Sequence, residues 1–106
     1  MTEQSRGIFA ISVAAEMASM QIQNLRVYER RGLIEPDRTP GGTRLYSHQD
    51  VKRLQRIGEL LGQGLNLAGI AKVLALEEEL RRLTLARSAS RTAPAAPRKT
   101  TRPLGT

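Results

Sequence analysis

The sequence predicts a mainly α-helical protein with a winged helix-turn-helix fold, in which a small β-hairpin follows two short helices. Three patterns support this prediction: two short amphipathic segments separated by a tight break, a Pro-Gly-Gly sequence between short extended stretches, and a longer amphipathic segment after it. A chain of 106 residues, 40% of them apolar, holds one small domain of this kind. We expect that domain at residues 9–72, preceded by a flexible N-terminus at residues 1–8.

The first two predicted helices lie on either side of a break at residues 19–21. Ser12 is expected to cap the first helix, and Gly32 is expected to end the second. The apolar residues at helical spacing in the first segment are Val13, Ala14, Met17 and Ala18. Those of the second segment are Ile22, Leu25 and Tyr28. Two short helices joined by such a turn form the skeleton of a helix-turn-helix.

The predicted wing is a β-hairpin at residues 35–46, and an amphipathic helix follows it. The hairpin turns at residues 40–42, where Pro-Gly-Gly stands between two threonines. Ser47 and Asp50 have the spacing of a capping box at the start of the third helix, which is expected to end near residues 62–64. The apolar stripe of this helix contains Val51, Leu54, Ile57, Leu60 and Leu61.

A fourth helix, capped by Asn66, is predicted to lead into a dimerisation helix at residues 73–87. Its apolar residues recur at the three- and four-residue intervals of a heptad repeat. These residues are Val73, Leu76, Leu80 and Leu83. We expect this stripe to join two copies of the chain as a homodimer, and packing within one chain is the alternative.

The net charge of +7 comes from the C-terminal end of the chain. No acidic residue follows Glu79, whereas seven Lys and Arg residues do. The Ser-, Ala-, Pro- and Arg-rich sequence from residue 88 onward has no helical or strand period, so we expect a disordered basic tail at residues 88–106. Such a tail attracts polyanions, including nucleic acids, and a purely solubilising role is the alternative.

Three stretches of the sequence resemble the signatures of the MerR family of bacterial transcription regulators. Residues 25–34 (LRVYERRGLI) resemble its recognition helix, residues 42–47 (GTRLYS) its wing, and residues 50–54 (DVKRL) the helix that follows. The resemblance extends from about Phe9 to Leu83. It implies a winged helix-turn-helix that binds double-stranded DNA and regulates transcription.

Two positions depart from the family pattern, and three stretches match one branch of the family. Val27 stands where many members have a tyrosine, and Ser19 stands where a glycine commonly forms the turn. Residues 9–16, 39–44 and 66–70 resemble the heat-shock repressors of the HspR type. That resemblance implies repression of chaperone operons by a dimer on an inverted-repeat operator, with the Hsp70 chaperone DnaK as co-repressor.

The predicted DNA-binding residues lie mainly in the second helix and the wing. They are Gln21, Gln23, Asn24, Arg26, Tyr28, Arg30, Arg31, Arg38, Arg44 and Asn66. In the major groove, amide side chains pair with adenine and arginine pairs with guanine, which suits the first four residues of this set. The remaining basic residues are expected to contact phosphates, which position a protein without reading sequence. At the start of the fourth helix near Asn66, the unpaired backbone amides are expected to bind a phosphate as well. Tyr28 is equally suited to packing its ring in the core.

The composition argues against several other classes of protein. With no Cys and one His, the chain offers no Cys-containing metal site and no thiol nucleophile, and nothing in it indicates an enzyme or a cofactor. We expect no metal, no small-molecule ligand and no membrane segment, which favours a cytoplasmic protein associated with the bacterial nucleoid. Two alternatives stay open: an architectural or excisionase-like winged-helix DNA-binding protein, and a protein-interaction adaptor.

Overall fold

The computed structural model describes residues 3–92, a mainly helical chain with one two-stranded antiparallel β-hairpin. The elements in chain order are a short 3-10 helix at Glu3–Ser5, α1 at Ile11–Met17, α2 at Ile22–Arg30, β1 at Asp37–Arg38, β2 at Arg44–Leu45, α3 at His48–Gly62 and α4 at Leu67–Thr92. The chain divides into two compact units between Ala71 and Lys72. The order and type of the elements confirm the predicted fold class.

The packed face of α1 differs from the predicted one. Its buried residues, counted with the C-cap, are Ala14, Ala15 and Ala18. Val13 and Met17 are exposed instead, because the three alanines fall at the spacing of one helix face and that face is the one that packs. The predicted cap is also wrong, since Ala10 is the N-cap, without a side-chain hydrogen bond, and Ser12 lies inside the first turn.

The end of α2 at Gly32 has the hydrogen bonds of a Schellman motif. The Leu33 amide donates to the carbonyl of Tyr28 at 2.9 Å, and the Gly32 amide donates to the carbonyl of Glu29 at 3.0 Å. Gly32 has a φ of +76°, in the left-handed region that glycine occupies without steric cost. The side chains of Leu33 and Tyr28 are both buried, so this turn returns the chain to the core. The predicted end of the second helix is confirmed.

The turn between α1 and α2 has the same hydrogen bonds with a serine at the left-handed position. The Met20 amide donates to the carbonyl of Ala15 at 2.9 Å, and the Ser19 amide donates to the carbonyl of Glu16 at 3.1 Å. Ser19 has a φ of +57°, a conformation that costs a residue with a side chain about 1–2 kcal/mol. Serine therefore preserves the turn but leaves it less stable than glycine would.

The wing is the hairpin of β1 and β2. Arg38 lies opposite Arg44 across the two strands. The turn is closed by the Gly42 amide, which donates to the carbonyl of Thr39 at 2.8 Å, and by the Thr43 amide, which donates to the Thr39 hydroxyl at 3.1 Å. Gly42 has a φ of +90°, as the last residue of a three-residue hairpin loop requires. The hairpin predicted from the Pro-Gly-Gly sequence is confirmed.

The segment before α1 is anchored to the wing, which corrects the prediction of a flexible stretch at residues 1–8 for its described part. Phe9 and Tyr46 form an antiparallel bridge, with the Phe9 amide 2.9 Å from the Tyr46 carbonyl and the Tyr46 amide 2.7 Å from the Phe9 carbonyl. Gly7 lies so close to the wing that a Cβ at this position would be 2.5 Å from the carbonyl oxygen of Leu45. These backbone contacts carry no periodic side-chain signal, so the sequence did not predict them.

The capping box at the start of α3 is confirmed. The Asp50 amide donates to the Ser47 hydroxyl at 3.0 Å, and the Ser47 amide donates to the Asp50 carboxylate at 2.9 Å. Burial raises the pKa of Asp50 above its ordinary value, and the hydrogen bonds with Ser47 oppose part of that rise. The buried residues of the helix are Val51, Leu54, Ile57 and Leu60. Leu61, predicted to belong to this stripe, is exposed.

Polar side chains of α3 hold the ends of both preceding helices. Arg53 donates through Nε to the carbonyl of Leu33, which follows Gly32 in the turn after α2. Gln55 donates through Nε2 to the carbonyl of Met17, the last residue of α1, at 3.2 Å. The bond to Met17 satisfies a carbonyl group at the end of α1, and both bonds attach the helix-turn-helix to α3.

The helix α4 begins at a side-chain cap, as predicted. The Gly69 amide donates to the side-chain oxygen of Asn66 at 2.8 Å. The helix then continues to Thr92, past the predicted end of the dimerisation helix at residue 87, because no glycine or proline interrupts the sequence between Gly69 and Pro94. The rest of the predicted basic tail, residues 93–106, lies outside the described residues. Within the described part, no helix is long and apolar enough to cross a membrane.

Candidate nucleic-acid interface

One side of α2 and its flanking residues is exposed and rich in hydrogen-bonding groups. The opposite side is fixed by Leu25 and Tyr28, which are buried. The exposed predicted residues are Gln21, Gln23, Asn24, Arg26, Arg30 and Arg31. Among residues 4–88, whose side chains the structure describes, Arg26, Arg30 and Arg31 have no side-chain hydrogen bond or ion pair. The structure therefore brings three amides and three unpaired guanidinium groups together on one helix.

Tyr28 lies in the core and not on this exposed side. Only 5% of its surface is exposed, and burial raises the pKa of its hydroxyl above the ordinary value. The ring therefore has the packing role that the sequence left open, whereas a direct DNA contact by Tyr28 stays a prediction.

The two predicted arginines of the wing are both paired with one carboxylate of α2. Arg38 donates to Glu29 Oε2 at 2.8 Å, and Arg44 donates through Nε to Glu29 Oε1. Arg38 also donates to the carbonyl of Gly42 at the turn, at 3.0 Å. The wing is therefore tied to the helix by its charged side chains.

Glu29 is the residue of this site that sequence reasoning missed. It is the only acidic residue in α2, and an isolated acid on a cationic helix was the available signal. Its partners could not be named from the sequence, because the pairing depends on where the hairpin lies after folding.

The structure places Tyr46 in the core and Asn66 at the start of α4. Tyr46 is fully buried at the end of the wing, and its hydroxyl has no hydrogen-bond partner within the described residues. Burial raises the pKa of that hydroxyl, and the Glu29 carboxylate raises it further. Asn66 is exposed, and its side-chain oxygen already caps α4, so one of the amides predicted to bind phosphate there is occupied.

Exposed leucines mark one side of α4 in the second compact unit. Leu76, Leu80 and Leu83 are 69%, 64% and 49% exposed, whereas Val73 is half-buried. Exposed leucines at helical spacing are typical of surfaces that bind other molecules.

The helix-turn-helix, the exposed polar side of its second helix and the neighbouring hairpin with two arginines define a winged helix-turn-helix domain of the nucleic-acid-binding class. Residues 9–77 match the family described as MerR HTH family regulatory proteins. The chain belongs to this family, which confirms the resemblance found in the sequence.

Similar proteins place the chain among regulators of this family. It is 42% identical over 77 residues to the putative heat shock protein HspR of Streptomyces coelicolor, a stretch that covers 72% of this chain and 51% of that protein. It is 40% identical over 75 residues to the transcriptional regulator GlnR of Bacillus anthracis, covering 71% and 58%. The crystal structure of a MerR family regulator from Bacillus cereus has a TM-score of 0.60 and 30% identity, covering 76% and 65%. The chain spans about half the length of the curated relatives that it matches.

Proposed function

We propose that the chain is a sequence-specific DNA-binding transcriptional repressor that acts as a homodimer on an inverted-repeat operator. The observation that carries this proposal is the exposed side of α2, with its amides and unpaired arginines. A helix of this kind, standing at the second position of a helix-turn-helix, is the element that enters the major groove.

The bases are read by the N-terminal half of α2. Gln21, Gln23 and Asn24 suit adenine, and Arg26 suits guanine. Each well-aligned bidentate pair contributes about 1–3 kcal/mol of discrimination against a wrong base. The buried opposite side of the helix supports this assignment, because it fixes the direction in which these side chains extend.

The DNA backbone is held from both sides of the recognition helix. Arg30 and Arg31 lie at the C-terminal end of α2, and Arg38 and Arg44 lie in the wing. Contacts of these residues with phosphates supply affinity and set the register of α2 in the groove. The N-terminus of α4 at Asn66 supplies a further phosphate contact through backbone amides that remain after capping.

The dimer forms through the exposed leucines of α4. Leu76, Leu80 and Leu83 share the spacing of a coiled-coil seam, and Val73 extends it. Two identical chains joined by one such surface are related by a twofold axis, so their two recognition helices meet inverted half-sites.

The targets are heat-shock or chaperone genes, and DnaK is the co-repressor. The similarity to HspR of Streptomyces coelicolor supports this assignment. The similarity to GlnR is nearly as high, so a different set of genes is the second candidate. In either case the protein acts on the bacterial chromosome, in the cytoplasm.

The test is selection of genomic DNA fragments by the purified full chain at one near-physiological salt concentration, because affinity for phosphates depends steeply on salt. We expect enrichment of a single inverted repeat upstream of a few chaperone genes. Enrichment upstream of other genes would overturn the heat-shock assignment alone. If the selected fragments share no sequence, the proposal of a sequence-specific regulator is overturned and an architectural DNA-binding protein is supported. In the presence of purified DnaK, the protein should bind the enriched duplex with higher affinity.

A matched pair of variants tests whether α2 reads the selected DNA sequence. Arg26→Ala should abolish the preference for the inverted repeat over a shuffled duplex. Arg81→Ala removes an exposed arginine from α4 and should keep that preference. If both variants keep the preference, α2 does not read the operator, and a protein-interaction adaptor becomes the better description of this surface.

A further inference from the structure

The carboxylate of Glu29 connects the recognition helix to both strands of the wing. One of its oxygens accepts from Arg38 of β1 and the other from Arg44 of β2. The side chain of Glu29 is 19% exposed, so the ion pairs form at the edge of solvent. By contrast, the arginines of α2 have no such partner among the described side chains of residues 4–88.

This arrangement has an electrostatic cost for binding DNA. A carboxylate repels phosphates, and Glu29 leaves the cluster with one net positive charge where the two arginines alone would have two. It also has a structural effect, because Arg38 and Arg44 stand directly opposite each other and like charges at such positions repel. Glu29 removes that repulsion and fixes both guanidinium groups beside α2.

We propose that Glu29 is a specificity-determining residue, which positions the wing arginines so that they contact phosphates only on DNA that α2 has already docked on. The inference rests on the proposed DNA-binding function. A phosphate reaches the fixed guanidinium groups in one register of the recognition helix. Without the carboxylate, the long arginine side chains are able to contact phosphates of any duplex, and binding that does not depend on sequence increases.

The test compares Glu29→Gln with Glu35→Gln. Both glutamates line the same open depression, so each change removes one negative charge from the same neighbourhood. Only the first change weakens the hold on the wing arginines. The probes are a duplex that carries the enriched inverted repeat and a shuffled duplex of equal length and base composition. The dissociation constant of each variant is measured on both duplexes over a series of salt concentrations.

We expect Glu29→Gln to bind the shuffled duplex more tightly, with a salt dependence steeper by about 0.9 for each additional phosphate neutralised. The ratio of the two dissociation constants should fall roughly tenfold, equivalent to about 1.4 kcal/mol of specificity. Glu35→Gln should change the affinity for both duplexes by the same factor and keep the ratio.

A second background separates positioning from a purely structural role of Glu29. In a protein that carries Arg38→Gln and Arg44→Gln, the additional change Glu29→Gln should leave the ratio and the salt dependence unchanged, because no wing arginine remains to be released. Circular dichroism melts confirm that each variant is folded.

Two results would overturn the inference. One is an equal effect of Glu29→Gln and Glu35→Gln on both duplexes, and the other is a loss of specificity from Glu29→Gln that persists without the wing arginines. A wild-type protein that does not distinguish the two duplexes would overturn the proposed function itself.

Discussion

The helix α3 and the part of α4 from Lys72 onward both carry apolar residues at helical spacing, but they differ in whether those residues are covered. In α3, the stripe of Val51, Leu54, Ile57 and Leu60 is buried within the first compact unit. In α4, Leu76, Leu80 and Leu83 are mostly exposed. The same periodicity therefore has two outcomes: in α3 it builds the core of the domain, and in α4 it leaves exposed the leucines that the proposed dimer would bury.

The two helices also begin differently. The start of α3 is closed by two reciprocal hydrogen bonds between Ser47 and Asp50. The start of α4 has one side-chain bond, from the Gly69 amide to Asn66. The helix whose apolar stripe is buried thus has more capping hydrogen bonds than the helix that carries the exposed leucines.

The largest expected effect is on the buried stripe of α3. Leu54→Ala should lower the free energy of unfolding by roughly 2–5 kcal/mol, because it removes a fully buried side chain and leaves a cavity. Urea unfolding followed by circular dichroism measures the loss, which should be the same at every protein concentration. A loss that disappears on dilution would show that Leu54 supports the dimer and not the domain.

A change in the exposed stripe of α4 should affect the dimer and not the stability of the single chain. Leu80→Ala should weaken the dimer by about 1–2 kcal/mol per chain, through lost burial of apolar area, and leave the unfolding of the dilute monomer unchanged. Sedimentation equilibrium measures the dissociation constant. Leu85→Ala is the control, because Leu85 is 63% exposed, nearly as much as Leu80 at 64%, but lies outside the heptad stripe. Equal effects of the two variants would contradict dimerisation through the stripe.

Removing a helix cap should have a smaller effect on stability, and that effect should be larger for α3 than for α4. Ser47→Ala should cost about 1 kcal/mol, and Asn66→Ala should cost less because a single bond is lost. Thermal melts of the two variants give the comparison. Ser12→Ala serves as the control and should change little, since Ser12 lies inside α1 and caps nothing. A greater loss from Asn66→Ala would reverse the proposed order of the caps.

The smallest expected effect is on the dependence of stability on pH. Burial raises the pKa of Asp50, so the folded protein binds a proton there more tightly than the unfolded chain does. The contribution of Asp50 to stability should therefore be greatest below its ordinary pKa and fall as the pH rises through the raised value. Asp50→Asn keeps an acceptor for the Ser47 amide and should flatten this part of the curve, as measured by urea unfolding from acid to neutral pH. An unchanged curve would assign the dependence to another group.

Much of the fold could be predicted from the sequence, because its strongest signals are local. Gly32 ends α2, Ser47 and Asp50 cap α3, and Asn66 caps α4, each through bonds between residues a few positions apart. The hairpin followed from Pro-Gly-Gly for the same reason. The exposed residues of α2 followed from helical periodicity once the buried position of Leu25 was recognised.

Features that depend on distant parts of the chain were not predictable. The ion pairs of Glu29 join residues separated by 9 and 15 positions, and they form only after the hairpin folds against α2. The burial of the alanines of α1, with Val13 and Met17 left exposed, depends on which side of α1 faces the rest of the fold. The sequence showed which residues were exposed and basic, but not which of them were already paired.

The bridge between Phe9 and Tyr46 makes the wing depend on residues that precede the helix-turn-helix. A shortened protein that begins at Phe9, where the family match begins, would lack Gly7 and its hydrogen bond to the Asp37 carboxylate of β1. It would also lose the hydrogen bond from the Ile8 amide to the Tyr46 carbonyl, so the bridge that covers this edge of the wing would depend on the terminal residue Phe9 alone. The working unit for purification, crystallisation or transfer to another protein therefore includes this leading segment.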